Sequence, residues 1–245
     1  MPVRSGVEQR LALAPHGKSI DVYRPESAPA PLPTVLLWHG IGPDERDILM
    51  PLAREVAAHG VLVFAPDWRS DAADGGRADL LGSLDFVRAR AAEHGGDADR
   101  IVLAGWSAGA SAALGVALHP EVADGWRPRA VVGIASRYDR PARSTGHVPL
   151  VDLAAGPAAS PVPVRLVHGT ADEQIDVTFS RDLVAALETH GWSARLDEVG
   201  ADHAGAIMAA YDPELGRCRP SEDERVRRAG ELTARAVAEA ACSGG

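Results

Sequence analysis

The sequence predicts an α/β fold: a mostly parallel central sheet of about eight strands with helices on both faces. Two observations carry this expectation. Short β-branched apolar runs alternate with longer stretches of helical period, as parallel strands joined by crossover helices do. Several helical stretches also end in His59-Gly60, His94-Gly95-Gly96 and His190-Gly191, where glycine takes the left-handed conformation that stops a helix and the imidazole faces its negative end. At 245 residues one hydrophobic core suffices, so a single domain over residues 1–245 is expected.

Strands are expected at 11–14, 19–23, 34–38, 61–65, 101–104, 130–134, 162–167 and 193–198, the first two as an antiparallel hairpin. Helices are expected at 47–59, 78–94, 108–119, 179–190 and 222–241. The proline-rich stretch 25–33 reads as a surface connector. A longer one, 137–161, reads as a short cap segment over a cleft, with Tyr138 and His147 as candidate cap residues.

Composition excludes several function classes. Hydrophobic residues make up 46% and charged residues 24%, enough apolar surface to offset the chain entropy of folding. A formal charge of -9 opposes a phosphate backbone, so nucleic acid is not an expected partner. Basic residues look scattered, and the densest group, Arg225, Arg227 and Arg228, lies among acids as a solvated helix face. Neither a signal peptide nor a membrane-spanning run is visible, and a cytoplasmic location is the expectation. Cys218 and Cys242 read as ordinary thiols, one bridge between them being the alternative. No phosphate loop, nucleotide fingerprint or HExxH pair is present, and neither metal nor cofactor is expected.

The chemistry concentrates in Gly105-Trp106-Ser107-Ala108-Gly109. This GxSxG run follows an apolar strand and precedes a small-residue helix, the context in which a sharp turn exposes a serine at the sheet edge. A serine hydroxyl needs a base and a carboxylate. Asp172 lies in the loop after a strong strand, 65 residues beyond Ser107, and His203 lies 31 residues further on, in a loop at the same edge. Glu173 and Asp176 are the rival carboxylates. Asp202 reads as a loop hydrogen-bonder and His168 as a structural group. The turn His39-Gly40-Ile41-Gly42 offers backbone donors for an oxyanion; Ile41 N–H and Ala108 N–H are assigned, with Gly40 or Gly42 as substitutes for Ile41. His39 reads as a brace. Gly40, Trp68 and Trp106 are candidate substrate contacts, with packing beneath the turn as the other role for Trp106. Arg69 reads as a loop ion pair or a substrate contact.

Together, the HGIG turn, the Asp67-Trp68-Arg69 loop, the GWSAG turn, the HGTAD loop at 168–172 and His203 resemble the α/β-hydrolases, particularly small carboxylesterases and lipases with little lid. That resemblance implies a serine hydrolase cleaving carboxylic esters of small or medium acyl chains through an acyl-serine intermediate. A thioesterase or an arylformamidase-like amide hydrolase would use the same groups, and a non-catalytic binding module is the alternative from another class. Esterases similar to hormone-sensitive lipase have HGGG where this chain has HGIG. Dienelactone hydrolases, similar in size, generally use cysteine, and no cysteine lies near this turn.

Overall fold

The computed structural model describes residues 6–156 and 159–243. Residues 1–5, part of the stretch read for a leader, and Pro157 and Ala158, inside the expected cap segment, lie outside the described residues.

All eight expected strands are present: β1 (Val7–Leu13), β2 (Ser19–Pro25), β3 (Leu32–Trp38), β4 (Leu62–Pro66), β5 (Gly96–Trp106), β6 (Val131–Ile134), β7 (Val164–Gly169) and β8 (Ala194–Val199). They form one sheet in the order β1-β2-β4-β3-β5-β6-β7-β8. β1 pairs antiparallel with β2, and β2 with β4; every other pair is parallel. The β3–β5 register shifts between Leu32 and Thr34, at Pro33, which has no N–H to give the ladder. β7 starts two residues later than expected for the same reason, since Pro163 precedes it.

Five α-helices cross between strands, α1 (Met50–Ala58), α2 (Arg77–Arg90), α3 (Ala108–Leu118), α4 (Pro149–Ala155) and α5 (Thr178–Thr189), and α6 (Glu224–Cys242) follows the last strand. The first two expected helices are split by short 3-10 turns at Arg46–Leu49 and Ala91–His94. Gly60, Gly95 and Gly191 hold φ of +87°, +85° and +76°, as helix-stopping glycines do.

Period-two alternation sends strand side chains to two cores. From β3 and β5, Leu36, Trp38, Ile101 and Leu103 face the core shared with α2, α3 and α5, whereas Val35, Leu37, Val102 and Ala104 face α1 and α6. Helix α6 supplies a stripe of small residues including Ala234, Val237, Ala238 and Ala241, while Arg225, Arg227 and Arg228 stay exposed. Asp223 caps it, accepting from the Arg225 and Val226 amides at 2.7 and 3.3 Å.

Two features escape the periodicity. Helix α4 lies within the cap segment, and a hairpin of β9 (Ala209–Asp212) and β10 (Arg217–Pro220) follows His203. Cys218 is half-buried on β10 and Cys242 exposed at the end of α6; both are free thiols. No described helix is long and apolar enough to cross a membrane.

Candidate active site

Parallel strands end at one rim, and the candidate groups lie on the loops that leave it. At the end of β5 the chain must reverse into α3 within one residue. Ser107 takes φ 53° and ψ -121°, a region costly for a residue with a side chain. The neighbours enforce it. A Cβ on Gly105 would run into the Gly109 backbone, and one on Gly109 would lie 2.5 Å from the carbonyl oxygens of both Trp38 and His39. Only glycines let β3, β5 and α3 approach this closely. The Ser107 amide donates to Ile134 O at 2.9 Å, and the Ser136 hydroxyl donates to Ser107 O at 2.7 Å.

His203 Nδ1 and Asp172 Oδ2 are 2.7 Å apart, both residues being buried. An ionised carboxylate only accepts, so Nδ1 carries the proton and Nε2 is left as the acceptor. Asp172 Oδ1 accepts the Gln174 and Ile175 amides at 2.9 and 2.8 Å. Burial pushes this carboxyl up, but bonds to His168, His203 and the Ile175 amide outweigh it and hold the group well below the usual carboxylate range. The two loops are pressed together at Gly169, where a Cβ would strike the Ala201 carbonyl. The rivals point elsewhere: Asp176 accepts the Thr178 amide at the start of α5, and Glu173 is exposed. Asp202 accepts the Gly205 amide at 2.7 Å.

His168 is fully buried behind Asp172. Its Nε2–H donates to Ile175 O at 2.8 Å, so its Nδ1 accepts the Ser180 hydroxyl at 2.7 Å. His39 is equally committed. Its Nε2 accepts the Glu45 and Trp68 amides, its Nδ1–H donates to Gly40 O, and burial pushes its pKa down to about 3.

A cleft of about 720 Å³ opens before Ser107, with Ile41, Ala108, Ser136 and Ile175 in its walls. Among the described residues, neither the Ile41 nor the Ala108 amide donates to a protein acceptor. No hydrogen bond joins the Ser107 hydroxyl to His203 in this structure; catalytic bonds of this kind are often long before substrate arrives.

The tryptophans correct the sequence expectation. Trp68 is not a cleft wall: it is fully buried, stacked on His39 with ring centroids 5.2 Å apart, and its indole N–H donates to His39 O. Trp106 also packs beneath the turn, its ring 4.9 Å from His203, and Gly40 leaves room for that ring instead of lining the cleft. Tyr138 is buried under Gly133 and presents nothing to a ligand. Arg69 pairs with Asp71 and Asp44. The expected cap segment contributes Arg137 and residues 140–143 to one wall, while His147 stacks on His119 beside Asp152. Sequence reading misses Ser136 and these wall arginines because no motif marks them.

The BD-FAE family model matches residues 20–125, less than half of the chain. No curated protein sequence matches it. Among solved structures, a provisionally named dienelactone hydrolase from Klebsiella pneumoniae subsp. pneumoniae is 23% identical with a TM-score of 0.69, covering 97% of this chain and 99% of that one. Esterase 2 of Thermogutta terrifontis, in its form phosphorylated by paraoxon, is 20% identical with a TM-score of 0.66, over 94% of this chain and 93% of that one. A bacterial heroin esterase is 18% identical with a TM-score of 0.67, over 98% and 86%. The fold of the chain is that of the α/β-hydrolases.

Proposed function

We propose that this α/β-hydrolase fold carries a serine hydrolase that cleaves small carboxylic esters. The observation that carries the reading is the 2.7 Å Asp172–His203 bond, which leaves an acceptor nitrogen on a buried imidazole at the rim from which Ser107 projects. The esterase names of the similar structures agree with it.

In the proposed reaction, His203 Nε2 takes the Ser107 hydroxyl proton as Oγ attacks the ester carbonyl. The oxyanion is held by the Ile41 and Ala108 amides, each donor being worth about 3–4 kcal/mol in reactions of this type. His203 returns the proton to the departing alcohol, leaving an acyl-serine. Water, activated by the same nitrogen, releases the acid. Asp172 stays ionised throughout, orienting the ring and stabilising its charged form.

The test is turnover of p-nitrophenyl butyrate with labelling by a fluorophosphonate. Wild type turns over and is labelled once; Ser107→Ala does neither while keeping its circular dichroism and melting temperature. Unchanged turnover in that variant removes Ser107 from the mechanism. Acyl thioester and N-formylkynurenine arms, run beside the ester, set the bond preference.

A further inference from the structure

The cleft before Ser107 carries a charge opposite to that of the chain. The formal charge is -9, yet Arg77, Arg137, Arg140 and Arg143 line this one cleft and Asp74 is the single carboxylate among its described lining residues. Arg137, Arg140 and Arg143 lie close together in the chain, and folding brings Arg77 to the same cleft.

Their partners decide what that charge can do. Asp74 is occupied with the start of α2, accepting the Gly76 and Ala78 amides at 3.0 and 2.7 Å. Arg137 is held by both oxygens of Asp139, each at 2.7 Å, and its guanidinium lies 4.5 Å from the Phe179 ring centroid. Arg140 and Arg143 differ. Among the described residues neither forms a salt bridge, although Asp139 feels the charge of Arg140 beside it; both Asp139 and Arg140 are exposed, and Arg143 is half-buried. The Arg143 guanidinium reaches across to the turn before α2, with Nη1 3.0 Å from where a Cβ on Gly75 would stand. A neutral acyl chain gives no reason to gather unpaired guanidinium groups, because like charges repel and partial burial raises the cost. An anion entering the cleft offsets both, and the planar guanidinium fork matches a carboxylate.

We infer that the cleft selects esters bearing a carboxylate, Arg140 and Arg143 binding the anion while Ser107 attacks the ester carbonyl. Short hemiesters of dicarboxylic acids fit this description, their methylenes resting on Ile41, Pro141 and Ile175. The inference rests on the proposed hydrolase reading and names its substrate class.

The experiment compares p-nitrophenyl hemiglutarate with p-nitrophenyl valerate, its uncharged counterpart of equal chain length. In wild type kcat/KM favours the hemiester by about tenfold or more at low salt, and the preference shrinks as salt screens the charges. The ratio of the two kcat/KM values falls by about tenfold in Arg140→Ala and in Arg143→Ala. Arg143→Glu makes the ratio smaller still and raises turnover of the p-nitrophenyl ester of 4-(trimethylammonio)butyrate, a gain that a packing defect does not produce. A wild-type enzyme that is labelled at Ser107 and hydrolyses valerate as well as hemiglutarate overturns this inference and leaves the hydrolase reading intact. Failure to label and to turn over either ester removes both.

Discussion

The indole N–H of Trp106 donates to the backbone carbonyl of His203 at 3.0 Å, joining residues 97 apart in sequence. The residue before the candidate nucleophile thus holds the loop of the candidate base. Trp106→Phe keeps most of the ring that packs on His203 but leaves that buried carbonyl without its donor, a loss of about 1–3 kcal/mol. With ester turnover as the readout, kcat should fall roughly tenfold with little change in KM. Equal kcat in the variant would show that this bond does not position His203.

The elbow should tolerate no added methyl. Gly109→Ala sets a Cβ against two backbone carbonyls that cannot rotate away, so the site must open or the variant loses stability by about 1–3 kcal/mol or more. Gly200, where an added methyl would meet nothing within 4 Å and where φ is not left-handed, is the control. Chemical denaturation should show a large drop in midpoint for Gly109→Ala and almost none for Gly200→Ala.

His39 predicts sensitivity to acid. Burial pushes its pKa from 6.5 down to about 3, so the unfolded chain binds the proton more readily than the folded one. The stabilisation is complete above about pH 6.5 and is lost progressively as pH falls toward 3. Urea unfolding between pH 7 and 4 should show a declining free energy in wild type, and His39→Gln, already weaker at pH 7, should decline less steeply.

The His119 cluster titrates in the opposite sense. Burial pulls the His119 pKa down, but hydrogen bonds to Asp152 and Glu121, each 2.9 Å, more than offset it and leave the value raised. Its contribution is therefore fully present below the ordinary 6.5 and lost as pH rises through the raised value. Since Asp152 lies on α4, this pair ties the wall segment to the end of α3. Melting temperatures of wild type and Asp152→Asn should differ most near pH 6 and converge toward pH 9.

Much of the molecule is legible from one sequence. The inner strands follow from apolar runs bounded by Gly and Pro, because a strand buried on both faces has little freedom in composition, whereas the edge strands β1 and β8 are more exposed. The positions of Ser107, Asp172 and His203 follow from the same pattern: each lies just beyond a strand that ends at the same rim. The carboxylate is less legible, since Asp172, Glu173 and Asp176 share one loop. Only the hydrogen bonds formed on folding separate them, as the Asp176 carboxylate is taken by the Thr178 amide and that of Asp172 meets the His203 imidazole.

The roles of the tryptophans and the charge of the cleft were not legible. Trp68 and Trp106 stand beside motif residues in the chain, and adjacency along a backbone says nothing about which side of a turn a ring occupies. Arg77 and Arg143 are far apart in sequence and meet at one cleft only after the helices have packed. The sheet, the elbow and the candidate chemistry can be read along one chain, because they depend on local patterns of apolar, small and turn residues. Tertiary structure alone decided which side chains brace the site and which face the cleft, because those outcomes depend on long-range packing that no local pattern encodes.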